Sequence, residues 1–110
     1  MSYVNTRVAG TTFNNRQNML AYVDKNLGRT HLALIREPNN SYDPNAVKVI
    51  GVVKKADGTK KTVCLGYLPK AEAARIAPVM DSGKWINIMG WSVTGGYNKK
   101  NYGARLVLTY

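Results

Sequence analysis

Cysteine and histidine each occur once in these 110 residues, as Cys64 and His31. A structural zinc site draws several ligands from those two residue types, so a zinc-built fold is close to excluded. One cysteine cannot close an internal disulfide, and Cys64, inside the apolar stretch Val63–Leu65, reads as a small core hydrophobe. His31 has no nucleophile in a recognisable motif around it, which leaves Ser-His-Asp chemistry without its parts. Carboxylates are scarce too: six, scattered along the chain, too few and too dispersed for paired acid–base or two-metal chemistry. The chain is poorly equipped as an enzyme and implies no cofactor and no metal. No apolar run approaches membrane-spanning length and no signal-type segment opens the chain, which predicts a soluble, intracellular, cytoplasmic protein without a membrane partner.

Against six acids stand sixteen lysines and arginines, for a net charge of +10. A surplus of that size points to a polyanionic partner, nucleic acid first and an anionic membrane surface second. Generic basicity is the plain alternative. A hydrophobic content of 45%, evenly spread, argues for a globular fold, and the length suits one domain over residues 1–110.

Periodicity predicts six strands and two short helices. Tyr3–Val8 alternates and reads as a strand. Arg16–Leu27 places Met19, Leu20, Val23 and Leu27 at helical spacing, with Asn14 and Asn15 as possible caps and Gly28 as the stop. Strands follow at His31–Ile35 and Ala46–Val53, then Ala56-Asp57-Gly58 turns the chain into Lys61–Leu68. Pro69 is expected at the first position of a helix over Lys70–Asp81, with Pro78 kinking or splitting it. Trp85–Thr94 and Leu106–Tyr110 complete the strands, separated by a flexible basic loop over 95–101. Short strands with two inserted helices suggest a mainly β fold, a small, OB-like, partly closed six-stranded β-barrel.

The densest stretch of turn chemistry is Arg36–Val49, R-E-P-N-N-S-Y-D-P-N-A-V-K-V. It holds Tyr42 and Asp43 between two strands, where binding residues tend to sit. Arg36 and Glu37 would face opposite sides of a strand, so each needs its own partner, with structural pairing around the turn expected for both. Phe13, Tyr42, Tyr67, Tyr97 and Tyr102 fall at strand–loop junctions. Beside so much positive charge they read as stacking platforms for bases; singly, each reads as a core-edge aromatic with a wet hydroxyl or rim. Lysines come in pairs, Lys54-Lys55, Lys60-Lys61 and Lys99-Lys100. The first two flank a hairpin tip and read as mainly structural, with diffuse phosphate contact. Lys70 adds a cation at a helix start already suited to an anion.

Val8-Ala-Gly10-Thr-Thr-Phe13, Asn15-Arg16-Gln17, the Arg36–Val49 run and Leu65-Gly-Tyr-Leu-Pro-Lys70 together resemble the HIRAN domain family, in the right order from about Val8 to Leu108. The resemblance implies a modified OB-type barrel with helical insertions. It implies a module that occurs fused to Swi/Snf-type fork-remodelling translocases and as stand-alone bacterial or phage proteins, with a helicase or nuclease as partner. It further implies capture of the 3′ end of single-stranded DNA, in DNA repair or replication-fork processing. On this sequence Tyr42 would stack on or pack beside the terminal nucleotide and Asp43 would accept a hydrogen bond from the free 3′-hydroxyl. Phe13 matches a stacking aromatic, Tyr67 a polar ring near the backbone, Lys70 a phosphate-binding lysine and Tyr102 a further base contact. Thr12 and Asn14 stand at contact positions where the family has an arginine and a second tyrosine. Arg16 is placed either to replace that cation or to anchor the helix.

A fixed carboxylate repels internal phosphates and accepts a hydroxyl proton, so it selects ends partly by rejecting continuous strand. Asp43 and the asparagines of the turn could instead satisfy turn N–H groups, as Asx residues do. A protein-interaction or assembly module without end recognition is the competing function.

Overall fold

The computed structural model describes residues 2–98 and 100–110; Lys99, half of the expected Lys99-Lys100 pair, lies outside them. Strands β1 (Tyr3–Arg7), β2 (Thr30–Arg36), β3 (Val47–Lys54), β4 (Lys60–Tyr67), β5 (Asn87–Thr94) and β6 (Gly103–Thr109) are joined by helices α1 (Arg16–Asp24) and α2 (Lys70–Asp81) and a 3-10 turn at Leu27–Arg29. They form two three-stranded antiparallel sheets, ordered β1-β6-β5 and β2-β3-β4. Alternation decides the faces. In β3, Val47, Val49, Gly51 and Val53 point inward, and all four are buried. They pack with Leu65, Leu106 and Leu108, with Leu20 and Val23 of α1, and with Ala73, Ile76 and Ala77 of α2 at i, i+3, i+4 spacing.

One isolated bridge joins the sheets: Ala9 N–H donates to Tyr67 at 2.7 Å and Tyr67 N–H returns the bond at 3.0 Å. Gly66 permits it. Its φ is +145°, and a Cβ there would lie 2.2 Å from the Ala9 carbonyl oxygen. The pairing register shifts between Val49 and Ile50, and Leu65 is the residue left over on β4. No closed barrel is found among the described residues. β2 and β5 pair on one side only, and the seam between them is lined by side chains, among them Leu32, Leu34, Met80, Ile86 and Ile88.

Other departures have local causes. α1 ends at Asp24 rather than Leu27, because the Asn26 side chain donates to the Tyr22 carbonyl at 2.8 Å and Thr30 Oγ1 to the Asn26 carbonyl at 2.7 Å. Leu27 is consequently exposed and Gly28 falls inside the 3-10 turn. Asn14 and Asn15 shape the helix entry through backbone φ of 53° and 66°, while the Asn15 side chain is taken up by Asn18 instead of capping. Pro69 stands one position earlier than expected, at the N-cap, and α2 continues through Pro78 as one element. β5 starts at Asn87, leaving Trp85 outside it and exposed, and β6 begins at Gly103, three residues earlier than Leu106. Cys64 pairs opposite Ile50 on the outer face and is half-buried, so it is not a core residue. Among the described residues, no helix is long and apolar enough to cross a membrane.

Candidate nucleic-acid interface

The Arg36–Val49 turn is built around Asn40. Its side-chain oxygen accepts the N–H groups of Tyr42 at 2.9 Å and Asp43 at 3.1 Å, and its amide donates to Glu37 Oε1 at 3.0 Å. Asp43 Oδ1 accepts the Asn45 N–H at 2.9 Å, and the Asp43 carbonyl accepts the Ala46 N–H at 3.0 Å. Arg36 forks onto Asp81 at the end of α2, with bonds of 2.9 and 3.1 Å, and also holds the Ala46 carbonyl at 2.9 Å. That pairing holds the Arg36 guanidinium above its ordinary value. The frame is therefore fixed from both ends. On it, Tyr42 stands 94% exposed.

The facing wall is the β1–α1 loop. Arg16 Nη1 donates to the Gly10 carbonyl at 2.8 Å, and Gln17 donates to the carbonyls of Thr11 and Tyr102, both at 2.9 Å. Phe13 lies at the crest of this loop, 65% exposed. The Arg16 guanidinium also lies over the Tyr67 ring, 5.3 Å from its centroid. Arg16 thus both lines the site and anchors the loop.

Between the walls is a cleft of about 590 Å³, bounded by Phe13, Asn14 and Arg16 on one side, Asn40, Ser41 and Tyr42 on the other, and Tyr67. The Tyr67 hydroxyl donates to Glu37 Oε1 at 2.7 Å, and Lys48 pairs with Glu37 Oε2 at 2.8 Å. Lys48 first, then Tyr67 and Asn40, hold the Glu37 carboxyl down at about 2, against the opposing effect of burial. Burial, then the bond to Glu37, raises the Tyr67 phenol, and Glu37 raises the Lys48 ammonium.

Five residues singled out in the sequence, Phe13, Asn14, Arg16, Tyr42 and Tyr67, meet in this cleft. Asp43 adjoins it, half-buried, with Oδ1 engaged by the turn. Lys70 is exposed at the start of α2, outside the lining. Tyr102 is also outside it. Its N–H donates to Gln17 Oε1 at 2.7 Å, and its ring lies so close to Gly96 that a Cβ there would be 2.2 Å away. Among the lining residues Arg16 alone carries a charge, so the cleft is not strongly basic despite the net charge of +10. Structural pairing of Glu37 around the turn, and turn asparagines accepting backbone N–H groups, were expected, and Glu37 and Asn40 fill those roles. Lys48 and Gln17 were not anticipated as supports.

Residues 1–109 match the HIRAN domain family. A crystal structure of a protein from Lactobacillus plantarum is similar at 22% identity and a TM-score of 0.60, covering 97% of this chain and 94% of that one. Identity so low speaks for the fold alone. No curated protein matches the chain. HIRAN domains are binding units rather than catalytic ones. With the match spanning both walls of the cleft and its floor, this chain belongs to the HIRAN family of nucleic-acid-binding domains.

Proposed function

We propose that this protein binds single-stranded DNA and captures free 3′-hydroxyl ends in the cleft between Phe13 and Tyr42. One observation carries the proposal: two exposed aromatic side chains, 65% and 94% accessible, line the same cleft from separate loops. Two exposed rings on facing walls of one cleft offer paired faces to a base, and stacking of that kind is indifferent to sequence. Arg16 supplies the cation within the cleft. Asp43 supplies selection, because the turn engages Oδ1 and leaves Oδ2 as a further acceptor for a terminal hydroxyl. A phosphate in that place would meet a fixed negative charge. Lys70, at the α2 N-terminus, is assigned to the phosphates leading up to the end, and Tyr102 to holding the Phe13 loop in position through Gln17.

Fluorescence anisotropy with matched oligonucleotides ending in 3′-hydroxyl or 3′-phosphate tests this. Tighter binding of the hydroxyl form, lost in Asp43→Asn, is expected. Failure to bind any oligonucleotide at moderate salt would favour the protein-interaction reading.

A further inference from the structure

The charge missing from the cleft lies at the other end of sheet β2-β3-β4. There Arg29, Thr30, His31, Val52, Lys54 and Lys60 line a groove of about 470 Å³ with no carboxylate in its wall. Lys54 and Lys60 are direct cross-strand partners. Like charges held opposite each other in a ladder destabilise it. Among the described residues no carboxylate pairs with either of them, the ion pairs there being Arg36–Asp81 and Lys48–Glu37. The nearby Asp57 is occupied by Thr59, through bonds of 3.0 and 2.6 Å, and faces Lys55. By strand alternation Lys54 and Lys60 share the outer face with His31, Val52 and Lys48, and Lys48 is paired opposite Tyr67 of the cleft. From Lys48 to Lys54 the strand rises about 20 Å.

We infer that this groove is a second nucleic-acid contact, taking the sugar–phosphate backbone through Arg29, Lys54 and Lys60 without regard to ends or sequence. A concave row of cations with no acid in its wall suits a phosphate chain, each contact releasing a counterion. A bilayer is a poorer fit. Interfacial anchoring draws on a broad apolar face beside the cations, whereas among the described residues Leu27 is the large apolar side chain exposed next to the groove. The inference does not rest on end capture, because a backbone contact needs no hydroxyl.

Circular single-stranded DNA, which has no ends, isolates this contact. Lys54→Glu/Lys60→Glu is expected to lose about tenfold or more in affinity for it at low salt. The log–log salt slope should flatten by about 1.4, at about 0.7 per phosphate contact on single strands. Lys54→Gln/Lys60→Gln should move both in the same direction by less, while relieving the like-charge pair and leaving the fold intact by circular dichroism. Arg75→Glu/Lys84→Glu makes the same change in net charge at exposed positions outside the groove and should have a clearly smaller effect. Unchanged binding of circular DNA by Lys54→Glu/Lys60→Glu, or equal losses in the two charge-reversed proteins, would overturn the inference. So would loss of binding to phosphatidylserine vesicles with DNA binding intact. The 3′-hydroxyl to 3′-phosphate affinity ratio should be unaffected by the lysine changes. If that ratio is one in the wild type, end capture fails while the groove stands.

Discussion

Glu37 is where donors from three parts of the chain converge: Lys48 of β3, Tyr67 at the end of β4 and Asn40 of the turn. Its carboxyl is lowered from 4.5 to about 2 in the folded protein. A depressed carboxyl contributes stability that is present above the unfolded value and lost as pH falls through the folded one. Between pH 4.5 and 2 the protein should therefore lose about 2 kcal/mol through this group, after allowance for solvent screening. Denaturant titrations across that window should show a smaller loss for Glu37→Gln, because its amide does not titrate. Tyr42 behaves in the opposite way. Being nearly fully exposed, Tyr42→Ala should change stability by less than about 0.5 kcal/mol. It should still weaken DNA binding by about 1–3 kcal/mol, the range for loss of one stacked base. A thermal melt paired with anisotropy checks both halves of that statement.

At the scale of elements, the junction between the sheets depends on Gly66. With a Cβ built 2.2 Å from the Ala9 carbonyl oxygen and a φ of +145°, Gly66→Ala should cost more than about 2 kcal/mol in urea denaturation. It should also loosen the Ala9–Tyr67 bridge that places Tyr67 in the cleft. Pro78→Ala should instead stabilise α2 by about 1–3 kcal/mol, since it restores an N–H for the Ala74 carbonyl at an exposed site. The β3–β4 hairpin and α2 were legible in the sequence because their alternation, turn glycine and alanine-rich stripe act locally. The end of α1 was not, because one side chain, Asn26, diverts it into a 3-10 turn. The open seam between β2 and β5 was not legible either. Strand alternation says which residues face inward, and closure depends on which edges meet across the core.

For the molecule as a whole, charge is distributed unevenly between the aromatic cleft and the cationic groove. The Asn- and Pro-rich turn announced a rigid binding loop, and Phe13, Tyr42 and Tyr67 could be singled out as junction aromatics. Their support could not, because Lys48 and Tyr67 become neighbours of Glu37 only once the strand register is set. Net charge of +10 pointed to a polyanionic partner without saying where on the surface it would bind. The fold separates a nearly neutral, aromatic cleft from a cationic groove at the other end of sheet β2-β3-β4. On the proposed reading, capturing an end and holding a backbone are tasks for different surfaces. DNA binding overall should weaken steeply with salt, while discrimination between ends should change little, since it is set by a local hydroxyl or phosphate at Asp43.

The most direct test of end capture is the affinity of the wild-type protein for one oligonucleotide carrying either a 3′-hydroxyl or a 3′-phosphate, measured at a fixed, stated salt concentration. End capture predicts that the hydroxyl form binds more tightly and that Asp43→Asn abolishes the difference. Equal affinity for the two forms in the wild-type protein would contradict it.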